Sequence, residues 1–392
     1  MQHKPRIAVI VSHPIQHFCP QYASWAKNES IELKVFFGSN MGLRKYTDPG
    51  FNKEISWGNL YMDEFNHEFL NGDITVIPDK HIDAVCLDIA LSIFKPDLVI
   101  VYGYFQKLQR RAYSWAKRND IRLAYISDSE RRQRTMFMKE ALKYFFLLYY
   151  FSKVDYFLTV GDANEDFYRY HRVKKNKFVR MHFPIDINFY KKKMQEIKQP
   201  ELRGKFMIRN SFVISSVGKI IEDKNHEHII LAMIELEKKG IYCDLILAGS
   251  GDKSLYLKRI ATKLQHSKVH LLGFVSPQEL PEVYCCSDIY IQPSLHDRHP
   301  LSVSEAIFCG LPIVISHYCG SWGKNDDVQD GKNGHVYKFG HIPSMVFAIE
   351  ILFNDFAERK KMSESSSAIS LQFQENAHVL VVDSLLERIS RS

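Results

Sequence analysis

Asp297-Arg-His-Pro-Leu-Ser-Val-Ser-Glu-Ala-Ile-Phe-Cys-Gly310 carries two carboxylates, Asp297 and Glu305, eight residues apart. The apolar run Asp288-Ile-Tyr-Ile-Gln-Pro-Ser294 precedes it, and Glu305 falls early in a helical pattern. Strand, loop and helix start in that order form an anion site, because the first amides of a helix have no partner within it. One carboxylate on the loop and one on the first helical turns would hold hydroxyl-rich groups on either side of bound phosphates. That combination suits a nucleotide sugar.

Outward from this stretch, short apolar runs alternate with amphipathic ones. Strands are predicted at 7–11, 33–37, 98–101, 123–126 and 156–160, then at 212–217, 243–248, 269–272, 289–292 and 312–315. Helical patterns at 21–27, 107–118, 226–239 and 255–265 lie between them. Continuous apolar strands between amphipathic helices indicate parallel sheets buried on both faces. The fold class is therefore α/β, with two Rossmann-like, doubly wound parallel-sheet domains, for which 392 residues are sufficient. The first domain is placed at 1–185 and the second at 211–372, with the Lys-rich, polar segment 186–210 as linker. A last helical pattern at 376–390 is long enough to cross back onto the first domain.

Ser216-Val-Gly-Lys-Ile-Ile-Glu-Asp-Lys-Asn-His226 opens the second half. Gly218 permits close backbone approach at the end of a strand, and Lys219 and Lys224 supply two cations able to neutralise a diphosphate. Open α/β sheets bind ligands at such a turn, beyond the carboxyl edge. Leu247-Ala-Gly-Ser-Gly-Asp252, Leu271-Leu-Gly-Phe-Val-Ser-Pro277, Ser287-Asp-Ile-Tyr-Ile-Gln-Pro-Ser294, Gly310-Leu-Pro-Ile-Val-Ile-Ser316 and Asp330-Gly-Lys-Asn-Gly-His335 follow. In this order, residues 212–340 resemble the donor-binding half of a GT-B glycosyltransferase of the large retaining family 4. That family includes glycogen-synthase-like and lipopolysaccharide-type enzymes.

The resemblance implies a role for each matching residue. Family members carry a Glu, seven residues and a second Glu, and Asp297 and Glu305 fall on those positions. Glu305 would hold the nucleotide ribose and Asp297 would orient hydroxyls of the donor sugar. Lys224 matches the phosphate lysine; Lys219 stands where an Arg is usual, keeping the charge but not the bidentate fork. Phe274 falls where the base is bordered. Two departures stand out. Asp at 297 reaches one methylene less far than Glu, and Arg298-His-Pro-Leu301 replaces a glycine-rich loop. Pro300 offers no N–H, which leaves the amides of Leu301, Ser302 and Val303 for a phosphate. No metal is expected: His296 and His299 lie on an irregular loop with Arg298 between them. The nucleotide sugar is the co-substrate, with no further cofactor.

The first half is less diagnostic. Ser12-His-Pro-Ile-Gln-His-Phe18 follows the first strand without a G-x-G-x-x-G fingerprint. It resembles a loop lying across the cleft from the donor, which makes His13 and His17 acceptor-side candidates. In Tyr125-Ile-Ser-Asp-Ser-Glu130, Asp128 occupies a position where many relatives have a His. It either orients an acceptor hydroxyl or caps the next helix.

Hydrophobic residues at 45% and charged residues at 25% are those of a globular protein. The first apolar run is too short for a leader and no run spans a bilayer, so a cytoplasmic location is expected. Seven scattered cysteines lack metal-ligand spacing and read as free thiols. Net charge is +7, and residues 101–200 hold 22 Lys/Arg against 10 Asp/Glu. That excess makes an anionic membrane surface a candidate partner, on the inner face of the cell membrane. Nucleic acid is not expected, because no base-stacking aromatics are interleaved with the cations. Residues 131–151 are basic at the start and nearly all apolar after Lys143; burial of 144–151 is expected, with the arginines exposed. The resemblance thus implies retaining transfer of a sugar, with UDP the first choice of carrier, to a glycan or lipid-linked acceptor in cell-surface polysaccharide synthesis. A nucleotide-sugar epimerase or phosphorylase of the same fold, or a non-catalytic nucleotide-binding partner, are the alternatives.

Overall fold

The computed structural model describes residues 4–390 apart from 44–45, 49–52, 56–59, 73–74, 77 and 133–136. The first half forms β1 (Arg6–Val11), β2 (Glu32–Phe37), a small antiparallel pair β3 (Tyr46–Asp48) and β4 (Lys53–Ile55), and β5 (His67–Phe69). It continues with β6 (Leu98–Tyr102), β7 (Arg122–Ile126), β8 (Tyr156–Thr159) and β9 (Phe178–Arg180). Apart from β3 and β4, these strands make one seven-stranded sheet in the order β5-β2-β1-β6-β7-β8-β9. The second half forms β10 (Val213–Val217), β11 (Asp244–Ala248), β12 (Lys268–Gly273), β13 (Ile289–Gln292), β14 (Ile313–Ser316) and β15 (Gly334–Tyr337). Their order is β12-β11-β10-β13-β14-β15, and both large sheets are parallel throughout.

Strand order reverses between β1 and β6 in one sheet and between β10 and β13 in the other, which opens a crevice beyond each carboxyl edge. Side-chain alternation explains why the strands read as unbroken apolar runs. Ile7, Val9 and Val11 pack on one face of β1 with Tyr22 and Trp25. Ala8 and Ile10 pack on the other with Leu108, Trp115 and Phe157. Both faces are covered from Ile7 to Val11, so apolar residues fill these five positions and the charge is confined to Arg6 at the strand's start.

All ten predicted strands are present. The sequence reading missed the small pair β3 and β4 and, in the large sheets, β5, β9 and β15, each of these three at an edge and three or four residues long. Edge strands are covered less completely and carry mixed residues such as His67, Arg180 and His335, which hide the pattern.

The segment 186–210 is largely helical. It folds as helices Ile187–Glu196 and Gln199–Lys205 on the second domain, where Leu202 and Phe206 pack with Val213, Ile246 and Ala248. The helix Phe356–Glu375 then runs into a wide π turn, Asn376–Leu380, and the helix Val381–Ser390. The wide turn presents the Ala377 carbonyl to Gln21 Nε2 at 2.8 Å and Trp25 Nε1 at 2.9 Å. Val381, Val382 and Leu385 complete the core under β1.

The helix Phe137–Ser152 departs from expectation. Leu147, Tyr150 and Phe151 are buried, but Leu142, Phe145, Phe146 and Tyr149 are exposed. Gln133, Arg134 and Met136 of the basic start lie outside the described residues. Among the described residues no helix is long and apolar enough to cross a membrane. None of the seven cysteines is in a disulfide.

Candidate functional site

Beyond β10, Gly218 at φ 151° turns the chain into a loop bearing Lys219 and, at the end of the turn Glu222–Lys224, Lys224. Beyond the adjacent strand β13 lies the loop of Asp297. The Leu295 amide donates to the Asp223 carbonyl at 2.8 Å, which ties these loops together. Lys224 Nζ is ion-paired with Asp297 Oδ2, both largely buried, and Gln292 Nε2 donates to the same oxygen at 3.0 Å. A phosphate approaching this point would compete with Asp297 for Lys224.

The helix Leu301–Phe308 starts beside the pair. The Tyr290 hydroxyl donates to Ser302 Oγ at 2.8 Å, fixing its first turn from within the sheet. The Val303 amide donates to the Pro300 carbonyl at 3.0 Å, so the expected three-amide start is reduced to Leu301 and Ser302. Glu305 lies one turn further, accepting the Tyr284 hydroxyl at 2.7 Å. Burial raises its carboxyl to about 7, against hydrogen bonds from Tyr284 and Tyr190 that favour the charge. A group titrating there can hold sugar hydroxyls as an anion or as a neutral acid. Phe274 leaves the end of β12 half-buried; Pro277 and Gln278 of the same loop, with Leu280 at the start of the next helix, line the wall near Glu305.

Glu305 faces a cavity of about 610 Å³ closed by Ile15, Gln16 and His17 of the first domain. The structure thus brings His17 and Glu305 to one space. Burial lowers His13 to about 4, and burial together with His13 lowers His17 to about 3. Both rings are neutral near pH 7 and offer a donor or an acceptor to a hydroxyl, not a counter-charge to phosphate. His13 Nδ1 lies 2.9 Å from Ser12 Oγ.

Asp128 faces the second domain, 3.5 Å from Arg298, and residues 129–132 after it are not helical, so it caps no helix there. Nearby, Arg132 reaches the carbonyls of Cys319 and Trp322 and lies 4.0 Å over the Trp322 ring. His299 stacks on Phe183 at 5.0 Å. It turns away from exposed His296 toward Asp327, 3.2 Å away. Burial opposes its charge, but Asp327 and Asp326 outweigh it and leave the imidazole raised. His299, Asp326 and Asp327 bring donor atoms within 4.8 Å of one another. Asp326, however, already accepts the amides of Asp162 at 2.7 Å and Asp327 at 3.0 Å, and the group joins the two domains. Tyr284, Tyr190, Gln292 and Arg132 escaped the sequence reading: Tyr190 sits in the Lys-rich segment read as linker, and the others reach the site only through the fold.

Two facing Rossmann-type domains, with cationic and carboxylate loops at the second domain's switch point, define the GT-B architecture. Residues 198–368 match the family model of "Glycosyl transferases group 1". Alpha-D-kanosaminyltransferase of Streptomyces kanamyceticus is 26% identical over 175 residues, 44% of this chain and 45% of its own. Alpha-monoglucosyldiacylglycerol synthase of Acholeplasma laidlawii is 30% identical over 161 residues, 38% of each chain. These matches span less than half the length of either relative. The structure of Anabaena HepE in complex with UDP is similar over 99% of this chain and 100% of its own, with a TM-score of 0.68 and 14% identity.

Proposed function

We propose that this protein is a retaining glycosyltransferase that moves a sugar from a nucleoside diphosphate sugar, a UDP-sugar first, to a glycan or lipid-linked acceptor. It works without a divalent metal, in cell-surface polysaccharide synthesis, at the cytoplasmic side of an anionic membrane. The reading rests on the Lys224–Asp297 pair and Glu305 flanking one helix start, opposite the His13 and His17 loop. The UDP complex of HepE, and the similarity to UDP-Gal:alpha-D-GlcNAc-diphosphoundecaprenol alpha-1,3-galactosyltransferase of Escherichia coli, support uridine.

In this mechanism Glu305 holds the ribose and Asp297 the donor sugar. As the bond from the anomeric carbon to the diphosphate breaks, Lys219, Lys224 and the amides of Leu301 and Ser302 stabilise the growing negative charge. The acceptor oxygen bonds to the same carbon, and its proton passes to the leaving phosphate oxygen, so no protein base is required. Neutral His17, with Asp128 at the cleft, orients acceptor hydroxyls.

UDP should raise the melting temperature with or without EDTA, and more than GDP, ADP or CMP. Lys224→Ala should lower kcat/KM by about 100-fold, the scale of one charge-stabilising donor. Near-wild-type turnover of that variant would refute the assignment. Release of UDP that requires acceptor separates transfer from epimerisation.

A further inference from the structure

The exposed residues of helix Phe137–Ser152 are not scattered. Leu142, Phe145, Phe146 and Tyr149 stand at the i, i+3, i+4, i+7 spacing of one helical face, with relative exposures of 77%, 68%, 45% and 69%. The opposite face, Leu147, Tyr150 and Phe151, fills the core. An apolar stripe of this size facing water marks a contact surface.

Its surroundings indicate what it contacts. Phe146 lies 5.6 Å from Tyr104, and the next residue, Phe105, is 64% exposed. Arg110 donates to the carbonyls of Tyr104 and Phe105, which fixes a cation beside those rings. On the other flank Tyr144 lies 5.0 Å from Tyr170, and the Arg131 guanidinium lies 3.3 Å over the Tyr170 ring. Lys143 is exposed on the helix itself. The stripe is therefore an apolar and aromatic strip bordered by three cations, within the segment that holds 22 Lys/Arg against 10 Asp/Glu. A bilayer surface with anionic headgroups matches it: the rings enter the boundary between headgroups and acyl chains while Arg110, Arg131 and Lys143 meet the charge.

We propose that Leu142, Phe145, Phe146, Tyr149 and Phe105, rimmed by Arg110, Arg131 and Lys143, form the face by which this protein docks on an anionic lipid bilayer. The inference rests on the membrane-side reading above, to which it adds a surface and an orientation, and it is independent of the transfer chemistry. Tyr104 follows β6 at the first sheet's carboxyl edge, so docking brings the first domain's side of the cleft to the lipid surface.

The test is co-sedimentation of the full chain with phosphatidylglycerol-rich vesicles and with pure phosphatidylcholine vesicles. Binding should require phosphatidylglycerol and weaken with salt. The triple variant Leu142→Gln/Phe145→Gln/Tyr149→Gln should partition at least about tenfold less, because three side chains no longer enter the interface. Its melting temperature and its UDP-dependent shift should stay those of the parent, which separates lost docking from lost fold or lost nucleotide binding. Parent protein that ignores phosphatidylglycerol vesicles, or a variant that binds them equally well, would overturn the proposal. So would a dimer in sedimentation velocity that the triple variant abolishes while vesicle binding persists, since the stripe would then be a self-association face.

Discussion

At the residue scale, Glu305 carries the most information. Its carboxyl is raised from 4.5 to about 7, so the folded state holds a proton that the unfolded chain has released between those values. The stabilising contribution is complete below pH 4.5 and is lost as pH rises through about 7. Glu305→Gln should therefore be more stable than the parent at pH 8, by about 1 to 3 kcal/mol, and the difference should close toward pH 4.5 in thermal melts. A variant less stable at pH 8 would show that the Tyr284 bond outweighs burial. Asp297 and Glu305 stand out by their spacing and Lys224 through the family resemblance, and the fold brings the three to one helix start. What holds them was not legible in the sequence: Tyr284 and Gln292 come from a helix and a strand whose local pattern is simply apolar, and only the fold brings them to the carboxylates.

At the element scale, the glycines of Leu247-Ala-Gly-Ser-Gly-Asp252 act on the neighbouring loop. A Cβ on Gly249 would overlap the Gly218 carbonyl, and one on Gly251 the Ile220 carbonyl. Their bareness lets the loop after β11 close on the loop that carries Lys219. Gly251→Ala should cost about 1 to 3 kcal/mol from overpacking. It should also weaken UDP binding, measured by calorimetry, while Ser250→Ala, which adds no bulk there, should leave both nearly unchanged. Buried strands were legible because both faces demand apolar residues; the edge strands β5, β9 and β15 were not, since half-covered strands accept His and Arg. The helix Phe137–Ser152 misled for the opposite reason. Its run of rings reads as core all round, and periodicity within such a run cannot tell a buried face from one turned outward.

At the scale of the whole molecule, the two domains are joined twice at one place. Gln374 accepts the Ile185 amide at 2.9 Å and donates to the Phe183 carbonyl at 3.0 Å, so the outgoing and returning chains are laced together. Arg132, His299 and Asp326 add contacts across the cleft. Removing residues 376–390 should take Val381, Val382 and Leu385 from the first core, each worth about 1.5 to 3 kcal/mol. Calorimetry should then show the first domain's transition lowered or lost, with that of the second preserved. A single unchanged transition would contradict the contacts. The returning helix also sets an order of events during synthesis. Residues 187–375 lie between the β9 end of the first domain and its last helix, so the second domain can close while the ribosome is still at work. The first, although translated earlier, leaves the face that receives Val381 uncovered until residue 390 has emerged, an apolar surface left open throughout synthesis of the second domain.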